Sequence, residues 1–140
     1  MPKEIKLTWR FNQSPQEVWE YLTKPELLEQ WLMKTDFQPI VGHKFYFIGE
    51  CDHEDKVAAY CEVLEIKPYS QLSYSWQANS VKDNKPFNSK VVWTIIPSEN
   101  GTDLQLVHTG FTVLEDAIAH NDGWTRIGNK MVGFFNVVKI

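Results

Sequence analysis

Residues 123–135 read GWTRIGNKMVGFF, a stretch of helical period that nevertheless carries Gly123, Gly128 and Gly133. At 100° per residue, Trp124, Ile127, Gly128, Met131, Phe134, Phe135 and Val138 form one stripe. Thr125, Arg126, Asn129, Lys130, Gly133 and Asn136 lie opposite. The pattern predicts an amphipathic helix over residues 123–140 with its apolar stripe on a core. A glycine inside a helix costs roughly 0.5–1 kcal/mol against alanine, so the two interior glycines need separate reasons. Gly133 is on the polar side and reads as a propensity cost alone. Gly128 is inside the stripe, where the missing side chain either lets the helix settle closer to its partner or leaves open volume.

Working outward, the partner is a sheet. KEIKLTWRF alternates, with Ile5, Leu7, Trp9 and Phe11 on one side, which predicts a half-buried strand. SPQE follows, with Ser14, Pro15 and Glu17 at the spacing of a capping box and a first-turn proline. TKPE repeats the signal at Thr23 and Glu26, so two short helices are expected through Trp31. From 42 to 110 the text is strands: GHKFYFIG, VAAYCEVLEI, QLSYSWQ, KVVWTII and TDLQLVHT. Asn100–Gly101 between the last two is a strong hairpin signal. Leu72, Tyr74 and Trp76 share a face, as do Val91, Trp93 and Ile95, and Leu104, Leu106 and His108. Residues 112–121 read as short helical or irregular chain. The expected class is α+β: a curved antiparallel six-stranded sheet around a long C-terminal helix, with two short helices after strand 1. Residues 1–140 are expected to form one domain.

The bulk properties exclude several functions. The chain is 43% hydrophobic and 14% aromatic, which argues for a packed core. A net charge of −4, with no basic patch, speaks against nucleic acid as a partner. No apolar run approaches the length of a membrane span, and MPKEIKLTWR has no apolar signal region. Cys51 and Cys61 require no oxidising compartment, so a cytoplasmic location is expected. No phosphate-binding glycine motif or nucleophile elbow is present. No cofactor is indicated. Cys51, His53 and the acids Asp52, Glu54 and Asp55, with His43 in reach, invite a metal reading, but C-x-H is not a strong zinc spacing and no second pair follows. A polar hairpin turn accounts for them.

Four segments carry a family resemblance. VWEYLTKPELLEQW, EVLEIKPYSQLSYSW, GTDLQLVHTGF and the Gly123–Trp124 pair resemble, in this order, the signature stretches of the homologues of the activator of a heat-shock-chaperone ATPase. Many members carry Gly where this chain has Cys61. The family lies within the START-like (SRPBCC) superfamily, and the resemblance implies the helix-grip fold. It also implies a weak link to stress response and chaperones. The co-chaperone that names the family carries a further chaperone-binding domain, for which 140 residues leave no room, so its activity is not carried over. Superfamily members hold lipids, sterols or polyketides between sheet and helix, and a few act as cyclases or dehydratases there.

The expected function is therefore non-catalytic binding of a small, largely apolar molecule between the sheet and the C-terminal helix. The residues expected to line the site are Phe45, Phe47, Trp76, Trp93, Leu106, Trp124, Gly128, Met131 and Phe135 for contact, with His108 or Tyr74 as the polar handle. A plain core reading predicts that the same aromatics simply fill the space. Two alternatives remain: a cyclase-like enzyme pairing His108 with Tyr74 or Tyr60, and a protein-interaction module of the chaperone-activator kind.

Overall fold

The computed structural model describes the backbone of residues 4–51 and 54–138, with the side chains of 4–49 and 56–133. The chain begins with β1 (Ile5–Phe11), then α1 (Pro15–Thr23) and α2 (Pro25–Trp31). Six further strands follow: β2 (Lys34–Thr35), β3 (Lys44–Cys51), β4 (Glu54–Lys67), β5 (Gln71–Asn79), β6 (Pro86–Ser98) and β7 (Gly101–Thr109). A 25-residue helix, α3 (Leu114–Val138), ends the described chain. All pairings are antiparallel, in the order β1-β7-β6-β5-β4-β3-β2. The sheet thus has seven described strands where six were expected. The extra one, β2, is two residues long and pairs Lys34 with Ile48 and Thr35 with Phe47, too short for any alternation to announce it.

The alternation expected of the strands is present. Ile5 and Phe11 are buried while Lys6, Thr8 and Arg10 are exposed. Leu72, Tyr74, Trp76, Val91, Trp93, Ile95, Leu104, Leu106 and His108 are all buried on the inner face. Bulges between Phe47 and Ile48 and between Val63 and Glu65 bend the long strands, because an extra residue on one strand increases local twist. The curled sheet lies against α3.

The capping box at α1 forms: Glu17 N–H donates to Ser14 Oγ at 3.2 Å, and Ser14 N–H donates to Glu17 Oε1 at 3.4 Å. The one expected at Thr23 does not. Thr23 is the last residue of α1, and its hydroxyl donates to the Trp19 carbonyl at 2.8 Å. Lys24 takes the cap position of α2 in an extended conformation, which a residue before proline favours. The β6–β7 hairpin also turns one residue earlier than NG implied. Ser98 pairs with Gly101, so Glu99 and Asn100 make the turn, Asn100 with φ 67°. Gly101 is needed for a different reason: a Cβ there would run into the Phe11 carbonyl of β1.

The largest departure is at α3. The helix starts at Leu114, not at residue 123, and Gly123 lies well inside it. Asn121-Asp122-Gly123 looks like a turn in sequence, but Trp124 and Met131 are buried and the upstream residues extend the same stripe. Tertiary packing outweighs the local turn preference. The question posed by Gly128 is answered here. A Cβ on Gly128 would overlap the indole of Trp9, so the helix backbone rests directly on that ring. A Cβ on Gly133 would meet nothing within 4 Å. We expect Gly128→Ala to lower unfolding free energy by about 1–3 kcal/mol through overpacking, and Gly133→Ala to raise it by roughly 0.5–1 kcal/mol through propensity. Urea unfolding of the two variants checks the opposite signs.

Candidate functional site

Between α3 and the sheet the aromatics make a continuous packed layer. Trp93 contacts Trp31, Trp9 and Trp124 at ring-centroid distances of 6.0, 6.4 and 5.6 Å. Trp124 contacts Trp76 at 5.2 Å, and Trp76 contacts Phe47 at 5.6 Å. Phe45, Phe47 and Tyr74 form a further cluster at 5.3–6.0 Å. Such tilted and edge-on pairs each add about 0.5–1.5 kcal/mol beyond burial. Most of the space expected to hold a ligand is therefore occupied by side chains.

His108 is fully buried within this layer, and both ring nitrogens are committed. The indole N–H of Trp124 donates to Nδ1 at 2.9 Å. An indole has no acceptor, so Nδ1 is bare and Nε2 carries the proton. Nε2–H then donates to Ser89 Oγ at 2.7 Å, whose hydroxyl donates to the Trp76 carbonyl at 2.8 Å. The chain of donors runs one way, from Trp124 through His108 and Ser89 to β5 backbone, and requires a neutral imidazole. Burial, with the neighbouring His120 adding to it, pushes the His108 pKa down to about 3. The pairing of His108 with Tyr74 that the cyclase-like alternative requires is not formed. Tyr74 Oη accepts from Trp93 Nε1 at 2.8 Å, and burial raises its pKa, so the phenol stays protonated. Tyr60 is exposed on the outer surface. Cys61 is a buried free thiol held protonated by burial first and by the Asp36 carboxylate second.

An open volume does exist, at one end of the layer. A cleft of about 190 Å³ is lined by Met33, Trp76, Ala119, His120, Gly123, Trp124 and Ile127. Its walls are almost wholly apolar. A Cβ on Gly123 would meet nothing within 4 Å, so Gly123 is the glycine whose absent side chain leaves space. His120 is the polar group. Its Nδ1 bonds the Asp116 carbonyl one turn back at 2.9 Å, and its Nε2 receives Trp76 Nε1–H at 3.3 Å. The carbonyl can only accept and the indole only donate, so His120 is neutral with Nε2 as the bare nitrogen. Burial lowers its pKa, while Asp116 opposes the shift. His120 also reaches a second, more polar pocket of about 430 Å³ between β4 and β5, where Val57–Tyr60 face Gln77–Asn79. Asp116 itself is buried and latches the 80–85 loop to α3, accepting from Ser80 Oγ and Val81 N–H, each at 2.7 Å.

Of the residues expected at the site, the structure brings only Trp76 and Trp124 to this cleft. Phe45, Phe47, Tyr74, Trp93, Leu106, His108 and Met131 are packed in the core. Gly128 is seated on Trp9, and the Phe135 side chain lies outside the described residues. Met33, Ala119, His120, Gly123 and Ile127 were not among the expected site residues. Extending the helical stripe back through Asp116 and His120 would have placed His120 and Gly123 beside Trp124. Of the residues in the metal reading, His43 pairs with the Asp36 carbonyl at 3.1 Å. Asp52 and His53 lie outside the described residues, as do the side chains of Cys51, Glu54 and Asp55.

The histidine network predicts a pH response. The folded pKa of His108 lies below its ordinary 6.5, so the unfolded chain binds the extra proton. Its contribution is whole above pH 6.5 and is lost as pH falls toward 3, at about 1.4 kcal/mol per pH unit. His120 acts in the same direction. Urea midpoints measured from pH 7 to pH 4 are expected to fall, and His108→Gln, which cannot titrate, is expected to flatten the slope by about one proton.

No helix among the described residues is long and apolar enough to cross a membrane. Comparison with known proteins agrees with the architecture. A protein from Mesorhizobium loti is 30% identical, with a TM-score of 0.84 over 95% of this chain and 96% of that one. The AHSA1 protein from Silicibacter pomeroyi is 17% identical, with a TM-score of 0.81 over 96% and 98%. CalU16 from Micromonospora echinospora is 24% identical, with a TM-score of 0.76 over 96% and 79%. No curated protein matches the chain. The family described as Activator of Hsp90 ATPase homolog 1-like protein matches residues 12–136, nearly the whole chain, and together with the shared helix-grip architecture this makes the chain a member of that family, within the START-like superfamily.

Proposed function

We propose that residues 1–140 act as one non-catalytic binding module for a small, largely apolar molecule, held in the cleft beside Gly123. The observation that carries this reading is the pairing of open volume with a helix-weakening residue. Gly123 costs the helix roughly 0.5–1 kcal/mol, and no clash explains its presence. Glycine there leaves a void walled by Trp76, Trp124, Ile127 and Met33. Aromatic and aliphatic walls with a single polar group are the usual make-up of a small-molecule site, and the flexible Met33 side chain suits a wall that adapts. The cleft is smaller than the roughly 300–1,000 Å³ of sites for drug-sized ligands, which favours a one-ring or two-ring molecule over a long lipid or a sterol.

A cyclase-like reading has less support. The buried His108 spends both nitrogens on Trp124 and Ser89, and a general acid or base needs a free nitrogen within reach of substrate. A cytoplasmic setting accords with Cys61 as a buried free thiol.

The test is Gly123→Leu. The added side chain projects into open space, so thermal stability is expected to hold or rise slightly. Binding of a neutral two-ring fluorescent probe, 6-propionyl-2-(dimethylamino)naphthalene, and retention of any molecule seen by native mass spectrometry of the purified protein are expected to drop at least about tenfold. Equal probe binding by both proteins, with no mass lost on organic extraction, overturns the proposal.

A further inference from the structure

Along the seam between β4 and β5 the sheet comes apart. Pairing runs from Lys67↔Gln71 to Val63↔Tyr74, and beyond that Tyr60 pairs with Gln77. Between them the Glu62 N–H donates to the Ser75 hydroxyl at 2.9 Å instead of to β5 backbone. Before Tyr60, β4 makes no pair with β5 among the described residues, although both strands continue. There β4 is paired to β3 through Ala59 and Val57, and β5 to β6 through Ala78 and Asn79. Two features hold the facing edges apart. Ala58 is the extra residue of a bulge and stands opposite no residue of β3, and a bulge bends and twists its strand. Just past Asn79, the chain leaving β5 is tied to α3 by the Asp116 carboxylate, which accepts from Ser80 Oγ and Val81 N–H. The Ser80 N–H donates to the Lys85 carbonyl at 2.8 Å, so β5 is steered away from β4.

The result is the notch of about 430 Å³ described above, with a strand edge on each side and His120 in its wall. A free strand edge is a row of backbone donors and acceptors, ready to pair with another extended chain. We propose that the notch is a peptide site: it takes a short, neutral, extended segment held by backbone hydrogen bonds to the edges that β4 and β5 leave open. Val57–Tyr60 line the β4 side, about 13 Å of strand, which sets the segment at roughly four residues. No charged side chain stands in the described lining, so a charged segment would lose hydration without gaining a partner. Ala59 and Ala78 are the buried positions of the two edges, and their methyl groups let another backbone come close. His120 spends its nitrogens on the Asp116 carbonyl and the Trp76 indole, so it supplies a wall and no hydrogen bond. Recognition is through the main chain, as in the addition of a strand to a sheet edge. The inference does not rest on the apolar cleft, whose lining shares only His120 with this notch.

The test is an NMR titration of the full chain with the peptide acetyl-Val-Thr-Val-Thr-amide and with two analogues, N-methylated on the valines or on the threonines. The expected result is saturable binding of the parent peptide, with the backbone amides of Ala58, Ala59, Ala78 and Asn79 shifted most. Successive backbone groups of a strand point to opposite sides, so at least one analogue is expected to bind about tenfold more weakly or worse. Equal binding of all three peptides overturns the proposal, because side chains and not backbone would then be read. It is also overturned if no resonance moves at millimolar peptide, or if the shifts fall away from the β4–β5 seam. Deleting Ala58 removes the bulge and lets the ladder close, and is expected to abolish binding. A folded deletion variant that binds as well as the parent chain overturns the proposal, and if that variant does not fold the N-methylated peptides decide the matter on the unaltered chain.

Discussion

The close approach of α3 to the indole of Trp9 sets the depth at which the gripping helix lies. Gly128 has no side chain to hold the two elements apart, so the helix backbone is drawn onto β1. At that depth Trp124, one turn earlier, reaches both Trp93 and the Nδ1 atom of His108. Met131, nearly one turn later, is sealed from solvent. A helix held farther out would leave His108 buried with an unpaired nitrogen, a cost of about 1–3 kcal/mol. The hydrogen bonds of the core thus depend on a van der Waals contact at another place on the same helix.

The interior that results is unusually demanding in its polar bookkeeping. Four indole N–H groups are matched to named acceptors: Trp31 to the Tyr21 carbonyl, Trp76 to His120, Trp93 to Tyr74 and Trp124 to His108. Each buried indole brings a large apolar surface and one donor that must be paired inside. Neutral histidines are well suited to this, since each offers one acceptor and one donor. His108 and His120, with ring centroids 5.4 Å apart, could not both be charged in such surroundings without strong repulsion. The two are nevertheless placed differently. His108 is enclosed and serves the architecture. His120 is on the first half of α3, at the boundary between the packed layer and open volume.

Gly123, which borders that open volume, lies five residues before the seat on Trp9, about 7.5 Å along the helix axis. Seating at Gly128 and openness at Gly123 are therefore separable. One glycine brings the helix in, and the other leaves its face bare where Trp76, Met33 and Ile127 stand back from it. The Asp116 latch to the 80–85 loop holds the start of the same helix, so the cleft lies between two anchored points of α3.

The residue pattern by itself determined the class and most of the elements. Strand alternation identified the inner faces, the capping box at Ser14 located α1, and the stripe from Trp124 onward oriented the last helix. These signals are local, since each depends on spacing within one element. The two-residue β2, the true start of α3 at Leu114 and the turn at Glu99–Asn100 were not legible, because in each case long-range pairing or packing outweighed the local preference. Of the residues expected at a site, Trp76 and Trp124 line the candidate cleft. Whether a stripe residue fills a core or borders a void depends on how deeply two elements are seated, and residue order does not encode that depth in any one position. The tertiary structure decided it: the close contact at Gly128 goes with His108 in the core, the open face at Gly123 leaves His120 beside the candidate cleft, and two glycines five residues apart take opposite meanings.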